Sequence, residues 1–435
     1  MKIYELATIK SKDLKQIFYR AQASIDAVRE DVIKIIERVR KDGDQALVEL
    51  TKELDDPSYS KSQLVVSEAD YQRAYRVTPA QSVLRIKEQI SLSKKFHAAQ
   101  REQMRNWETE IAPGVIGGEK WTAIDRVGLY VPGGKNPFPT VQQILAVPAL
   151  AAQCPSIASC VSPRGEINEV LIAAKEAGIK ELYRVSGPQA IAAMAFGTES
   201  IAPVELIAGP GNPYVTAAKI LCQEKIAIDM PAGPSEAIIL ADGSASPEMT
   251  LERKAVFCAA DILARAEHGP DSAGVLVTDS MRLAELTAVE VDKQRTTLSR
   301  AAYIDKALEM FSAILVTSNM EEAISFTNDY APEHLEILTK NPRETMKSIR
   351  NAGSIFLGNF NPVATGDYAI GVNHVLPTGT WAKRTSAVGV WTFMKRVQFS
   401  EVTPAGLKSL QPIVQTISDI EGLDAHKRSV DVRFE

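Results

Sequence analysis

From residue 127 onward the chain alternates short apolar runs with helical segments, and that alternation restricts the fold more than any other feature of the sequence. The runs at 127–131, 157–161, 181–185, 204–208 and 237–240 read as strands, and helices are expected at 168–177, 189–196 and 213–222. Beyond 240 the pattern resumes, with helices at 249–267, 281–293, 300–310, 320–328 and 343–350 and strands at 275–277, 313–316, 335–338 and 354–357. Strands and helices in strict succession, joined by short connections, form parallel sheets covered on both faces. A chain of 435 residues is too long for one core. The expected fold is therefore α/β: two doubly wound, incomplete Rossmann-like parallel-sheet domains with helical N-terminal and C-terminal extensions. The two units share an architecture and no sequence repeat, and they divide near 238–248.

Helical spacing also marks the flanks. Ile25, Val28, Val32, Ile35, Ile36 and Val39 form a stripe over 25–54 that Asp42-Gly43-Asp44 punctuates, and Val83, Ile86, Ile90 and Phe96 form another over 80–105. Residues 403–430 read as a helical tail that leaves the body. The expected organisation is an N-terminal extension at 1–24, a first α/β domain from 25–126 plus 238–385, a second, cofactor-side domain at 127–237, and a helical tail at 386–435.

Composition narrows the function by exclusion. A formal charge of −5 offers no basic surplus for nucleic acid. Met1–Lys10 lacks the apolar core of a signal peptide, and no apolar run is long enough to span a bilayer. Cys154, Cys160, Cys222 and Cys258 form no CxxC pair and read as reduced core thiols, which points to the cytoplasm.

Histidine carries the chemical signal. Four of the five histidines stand in short acid-flanked clusters: Glu267-His268-Gly-Pro-Asp271, Pro332-Glu333-His334, Asp367 followed by Asn373-His374, and Asp424-Ala-His426. Imidazole beside carboxylate supplies both metal ligands and proton-transfer groups near neutral pH. Each cluster also has a plainer reading. Arg265 and His268 share a helix face one turn after Asp261, just before Gly269-Pro270, so His268 could simply favour the negative end of a capped helix. Glu333 and His334 are adjacent, so on an extended backbone they point apart and only a bend brings them together. Asp367 could be an Asx-turn, and Glu421 to His426 could be the solvated end of the tail. His97, with no acid cluster beside it, reads as structural.

Three glycine-proline turns, Val131-Pro-Gly-Gly134-Lys135, Gly209-Pro-Gly211-Asn212 and Ala232-Gly-Pro-Ser235-Glu236, expose backbone N–H groups that can hold substrate or cofactor oxygens. No GxGxxG or P-loop pattern accompanies them.

Taken together, these segments resemble the histidinol dehydrogenase family across nearly the whole chain. The resemblance rests on Val127-Gly-Leu-Tyr-Val-Pro-Gly-Gly134, Gln189-Ala-Ile-Ala-Ala193, Phe196-Gly-Thr-Glu-Ser200 and Gly209-Pro-Gly-Asn212. Asp229-Met-Pro-Ala-Gly-Pro-Ser-Glu236, Ala266-Glu-His-Gly-Pro-Asp-Ser272, Ala331-Pro-Glu-His-Leu335, Asn373-His-Val-Leu-Pro-Thr378 and Gly422-Leu-Asp-Ala-His426 complete it. It implies oxidation of L-histidinol through the aldehyde to L-histidine, with two NAD+, one zinc ion per subunit, and a homodimer whose tail reaches its partner's site. By the same resemblance Glu333 and His334 are the acid–base pair, and Tyr130, Gln189 and Asn212 contact the cofactor. His268, Asp367 and His426 match zinc ligands. Ser235, His374 and Glu421 match substrate contacts, and Ser235, Arg265, His268, Glu333, Asp367, His374, Glu421 and His426 are together expected to line the substrate.

The sequence also departs from the family pattern. Arg265 stands where a glutamine zinc ligand is usual, and a guanidinium has no lone pair to offer a metal. The run Thr140-Val-Gln-Gln143 replaces a serine-rich stretch, Ser186-Gly-Pro-Gln189 replaces Gly-Gly-Ala-Gln, and segment 242–256 is longer than usual. Arginine attracts anions, so a related dehydrogenase acting on another small alcohol, such as a sulfonated diol, is the alternative expectation. A metabolite-binding protein without activity is a third.

Overall fold

The strands, in chain order, are β1 (Ile3–Glu5), β2 (Trp107–Ala112), β3 (Val115–Ala123), β4 (Arg126–Tyr130), β5 (Ser156–Val161), β6 (Glu181–Arg184), β7 (Leu206–Ala208) and β8 (Ala227–Ile228). They continue with β9 (Glu236–Ala241), β10 (Ala273–Thr278), β11 (Ala313–Val316), β12 (His334–Leu338), β13 (Ser354–Leu357) and β14 (Met394–Val402). The computed structural model describes residues 1–19, 25–133, 137–231 and 233–435, so Gly134 and Lys135 of the first glycine-proline turn and Ala232 of the third lie outside it.

Two sheets are parallel. The five-stranded one runs β6-β5-β4-β7-β8, and the six-stranded one runs β1-β11-β10-β9-β12-β13. Leaving out the edge strand β1, both have the same order relative to the chain: third, second, first, fourth, fifth. That is the doubly wound order, in which the winding direction reverses between the first and fourth strands. The reversal lies between β4 and β7 in one sheet, where Val127 pairs with Leu206, and between β9 and β12 in the other, where Ala237 pairs with His334. Every residue of β9, β10 and β12 is buried, as strands covered on both faces require. A third, antiparallel sheet, β14-β3-β2, stands apart from these.

The distribution of the flanking segments corrects the expected domain plan. The helices of 25–126 build their apolar cores on the five-stranded sheet and meet 238–385 only at points such as Gln89 Nε2, which donates to Tyr368 O at 2.8 Å. Val32, Ile36, Val39 and Leu47 of helix Ile25–Leu54 join Ile191, Met194 and Ile207 in one core, while Tyr71, Ala74, Ile86 and Ile90 join Ile144, Leu171 and Leu129 on the opposite face. The helices within 127–237 are short, 9 to 13 residues, and the N-terminal helices complete the cover of both faces. Residues 1–19 are not a free extension either. Strand β1 pairs in parallel with β11, and Phe18 of helix Ser11–Tyr19 packs on Phe326 with ring centroids 5.1 Å apart. Within 386–435, Val388, Val390 and Phe393 enter the core of the five-stranded unit, and β14 pairs along its length with β3 before the tail helices Pro404–Glu421 and Asp424–Asp431 begin. No helix among the described residues is long and apolar enough to cross a membrane.

Candidate active site

The amino edge of the six-stranded sheet, at its point of reversal, gathers most of the expected side chains. Ser235 immediately precedes β9, and Glu333 immediately precedes β12, whose first residue is His334. Adjacent residues on a strand diverge, yet here His334 Nδ1 lies 3.4 Å from Glu333 Oε2. The bend that allows this begins at Ala331, which ends helix Met320–Tyr330 in the left-handed region (φ 49°, ψ 67°). Glu236 then fixes the pair from three sides. Its carboxylate Oε1 accepts from Glu333 N at 3.2 Å and Gly379 N at 3.3 Å, its own N–H donates to Glu333 Oε2 at 2.9 Å, and its carbonyl oxygen lies 3.3 Å from His334 Nδ1.

Around this pair the polar groups form a closed circuit. Arg265, in the last turn of helix Leu251–Ala266, donates from Nη1 to Ser235 Oγ at 2.5 Å, and that hydroxyl donates to Glu333 Oε2 at 3.0 Å. Arg265 Nη2 reaches Asp367 Oδ2 at 3.4 Å, and Asp367 Oδ1 lies 3.6 Å from His334 Nε2. His334 thus sits between two carboxylates with its ring stacked on Phe356. Burial and the Arg265 charge push its imidazole down, but Glu333 and Asp367 outweigh them and hold it above its ordinary value. Burial raises Asp367 and Glu333, and His334 and Arg265 overcome it, leaving both carboxyls below their usual range.

His268 and His374 border the circuit and feel its charges. The His268 ring keeps contact with solvent, but the crowding around it and the Arg265 charge hold its imidazole down at about 4. Burial lowers His374 as well, against the pull of Asp367. His374 belongs to the segment that ties the two units together. Asn373 Nδ2 donates to Ile144 O at 2.9 Å, His374 bonds the backbone of Thr140, and Thr378 Oγ1 accepts from Gly233 N at 2.6 Å.

The expected cofactor residues stand at the carboxyl edge of the five-stranded sheet, at its own reversal. Tyr130 ends β4, and its hydroxyl accepts from Gly187 N at 3.1 Å, at the start of the helix that carries Gln189. Asn212 caps helix Pro213–Leu221, with Oδ1 accepting from Val215 N at 3.1 Å. Gly209 can only be glycine: φ is +138°, and a Cβ there would meet Tyr130 O at 2.1 Å. Gln189 Oε1 is buried without a hydrogen-bond partner, the kind of orphaned group a ligand satisfies. Beside β4 and β5 an open cleft lies between Pro132, Phe138, Ser162 and Arg164, next to Tyr130 but lined by none of the three expected cofactor residues. A dinucleotide fits this edge by the chemistry of its groups and by the topology.

The tail does not reach the circuit in this chain. Glu421 and His426 are exposed, and among the described residues neither side chain bonds to any site group. Within one chain this leaves a metal short of ligands. Among the described residues no three of histidine, cysteine, aspartate and glutamate are placed to hold an ion. His268 and Asp367 remain, and Asp367 is already engaged by Arg265. A divalent ion within roughly 6 Å of that guanidinium would meet about 5 kcal/mol of repulsion at an effective dielectric near 20. The residues present in one chain do not make the zinc site that the resemblance implies.

Two features of the site went unassigned in the sequence. Glu236 stood inside a quoted motif without a role. Glu336, two residues after His334, is a carboxyl inside an otherwise apolar strand, which was the available signal. Burial followed by the charge of nearby Asp261 raises it far above the usual range, and burial raises Asp261 as well. Glu336 Oε1 accepts from Val363 N at 2.7 Å and so anchors the start of helix Val363–Tyr368, which carries Asp367.

Known proteins agree with this architecture. The profile described as histidinol dehydrogenase matches residues 18–434. Histidinol dehydrogenase of Vibrio vulnificus is 43% identical over 407 residues, covering 93% of this chain and 91% of its own. That of Methanothermobacter thermautotrophicus is 42% identical over 419 residues, covering 96% of each. The crystal structure of histidinol dehydrogenase from Elizabethkingia anophelis superposes with a TM-score of 0.92 at 35% identity, covering 100% of this chain and 98% of that one. The chain belongs to the histidinol dehydrogenase family of oxidoreductases.

Proposed function

We propose that this protein oxidises L-histidinol through the aldehyde to L-histidine, passing two hydrides to two molecules of NAD+, as a step of histidine biosynthesis. The observation that carries the reading is His334 held between the Glu333 and Asp367 carboxylates, at 3.4 and 3.6 Å, on an edge tied to the cofactor-side sheet through 373–378. The relatives compared are histidinol dehydrogenases by name, which favours histidinol over the anionic alcohol considered as an alternative.

Bound NAD+ would supply the hydride acceptor, with Tyr130, Gln189 and Asn212 as its contacts. Flanking carboxylates make His334 a stronger base than free imidazole, which suits it to take the hydroxyl proton as hydride leaves the carbinol carbon. Glu333, kept ionised by His334 and Arg265, accepts a proton from the water that adds to the aldehyde. Loss of a second hydride from the resulting hydrate anion gives the carboxylic acid, which releases its remaining proton to solvent and becomes the carboxylate. Glu236 and Ser235 hold Glu333 in place throughout.

The same proposal includes a homodimer. The tail presents Ile413, Ile417, Ile420 and Leu423, exposed at helical spacing, as an apolar stripe that a second copy would cover, and it would bring Glu421 and His426 toward that copy's pocket. The four buried cysteines, none in a disulfide, suit a reducing cytoplasm.

Stoichiometry and single-turnover kinetics test the reading. Two NADH per L-histidinol are expected. His334→Ala should slow the first oxidation by about 10²- to 10⁴-fold, the usual worth of general-base catalysis, whereas Glu333→Ala should mainly slow the aldehyde-to-acid step. Equal losses on both steps in both variants contradict this division, and absence of turnover with histidinol ends the substrate assignment.

A further inference from the structure

We propose that Arg265 takes the place of a divalent cation in this pocket, so that the substrate oxygen is held against a guanidinium and the protein works without a bound metal. The proposal takes its substrate from the histidinol reading, but its metal prediction is independent of that reading.

Arg265 is 3% exposed, and an arginine keeps its charge at any accessible pH, so the fold must hold a permanent cation here. It is held by the groups that a metal in this pocket would also need. Nη2 reaches the Asp367 carboxylate, Nη1 reaches the Ser235 hydroxyl, and His268 lies within range of its charge. An aspartate oriented toward a guanidinium on one oxygen and an imidazole on the other has its charge matched before any ion arrives.

The guanidinium also keeps a donor in hand. Arg265 Nε is buried and has no hydrogen-bond partner, while both terminal nitrogens are engaged. A buried N–H without an acceptor is costly and marks a place where a ligand oxygen completes the structure. The alcohol oxygen gains negative charge as its proton leaves, and a fixed cation with an unused donor is suited to meet it. Arg265 therefore anchors the reacting oxygen, and removing its charge should open the pocket to a metal.

The test reads metal content first and activity second. The full-length protein and Arg265→Gln are equilibrated with zinc sulfate, desalted and analysed by elemental mass spectrometry, with folding of the variant checked by circular dichroism. Wild type should retain far less than one zinc per subunit, and its turnover should be unchanged by prior dialysis against a chelator. Arg265→Gln should bind zinc at least about 10- to 100-fold more tightly, the scale on which neighbouring groups tune metal sites. One tightly held zinc per wild-type subunit, with activity lost on chelation, overturns the proposal. So does a folded Arg265→Gln that takes up no more zinc than wild type. If wild type fails to oxidise histidinol but the zinc contents follow the expectation, the substrate reading falls and this one stands.

Discussion

The two parallel sheets have the same strand order but use opposite edges. In the five-stranded sheet the groups suited to a ligand lie outside the carboxyl ends of β4 and β7, where a doubly wound sheet ordinarily binds one. In the six-stranded sheet the equivalent corner, outside β9 and β12, is closed. Lys254 Nζ is buried there against Asp242 Oδ1 at 3.0 Å and Ser244 O at 2.8 Å, and Lys340 N donates to Asp242 Oδ2 at 2.7 Å. The reactive cluster sits on the other edge, at the amino ends of the same two strands. Strand order therefore predicts where a site can form, and local side chains decide which edge is used.

Buried lysines sharpen the contrast. Lys219 in the five-stranded unit pairs with Asp229 and donates to Gly209 O at 2.9 Å and Met230 O at 3.0 Å, while Asp229 Oδ2 accepts from Gly209 N at 2.8 Å. It braces the glycine turn from behind and leaves the front free, whereas Lys254 fills its own corner. Removing Lys219 leaves the buried Asp229 carboxylate without its counter-charge, which costs about 3–5 kcal/mol, whereas Asp242 is partly exposed and keeps donors from Ser244 and Lys340 N. Lys219→Met and Lys254→Met should thus both lower stability in denaturant unfolding, Lys219→Met by more. Their kinetics should differ: only Lys219→Met should raise KM for NAD+, because only its turn faces the proposed cofactor edge. A comparable rise in Lys254→Met would mean that both carboxyl edges handle ligand.

Much of this was readable beforehand, and the failures have physical causes. Helix Asn168–Ala177 matches its expected span, because its apolar spacing is regular and Gly178, at φ 108°, stops it. Which sheet the N-terminal helices cover was not readable, since an amphipathic stripe reports that a face is buried and not against what. Strands β2 and β3 are not legible in the sequence because β2 is largely exposed, β3 is mostly half-buried, neither alternates apolar with polar residues, and the partner strand β14 comes from far along the chain. In the site, adjacency made Glu333 and His334 look divergent. Their convergence depends on Ala331 adopting a left-handed backbone and on Glu236, from another strand, gripping the bend.

Acid should separate the two units next. His97, in helix Ala80–Glu102 of the five-stranded unit, is fully buried with Nδ1 2.9 Å from Ser93 O, and burial holds its imidazole down at about 4. The unfolded chain takes up this proton near 6.5, so the stability due to neutral His97 is complete above that value and is lost as pH falls toward 4, by about 3 kcal/mol. In the six-stranded unit the raised Asp261–Glu336 pair has the opposite sign. Its folded form binds protons more readily than the unfolded chain, so acidification over the same window relieves a cost. Hydrogen exchange at pH 7 and pH 5, corrected for intrinsic rates, should show protection falling in 80–102 and falling less in 251–266, where His268 acts in the same direction as His97 but the Asp261–Glu336 pair opposes it. His97→Leu should abolish the fall in 80–102. Equal loss in both helices would show that acid acts on the whole molecule instead of on these groups.

The smallest effect tests the edges most directly, because it alters a single turn in each unit. Asn212 caps helix Pro213–Leu221, and Asn319 caps helix Met320–Tyr330 with Oδ1 accepting from Glu322 N at 2.8 Å. Replacing either by alanine removes one side-chain acceptor from an exposed helix start and should cost about 1 kcal/mol of stability. Thermodynamically the two variants should be near twins. Helix Met320–Tyr330 begins after β11, on the carboxyl side of the six-stranded sheet and away from the reactive cluster, so Asn319→Ala should leave both KM values unchanged. Asn212→Ala should raise KM for NAD+ with little change in KM for histidinol. If the two variants match in kinetics as well as in stability, Asn212 is only a cap, and the assignment of the cofactor to that edge loses one of its three proposed contacts.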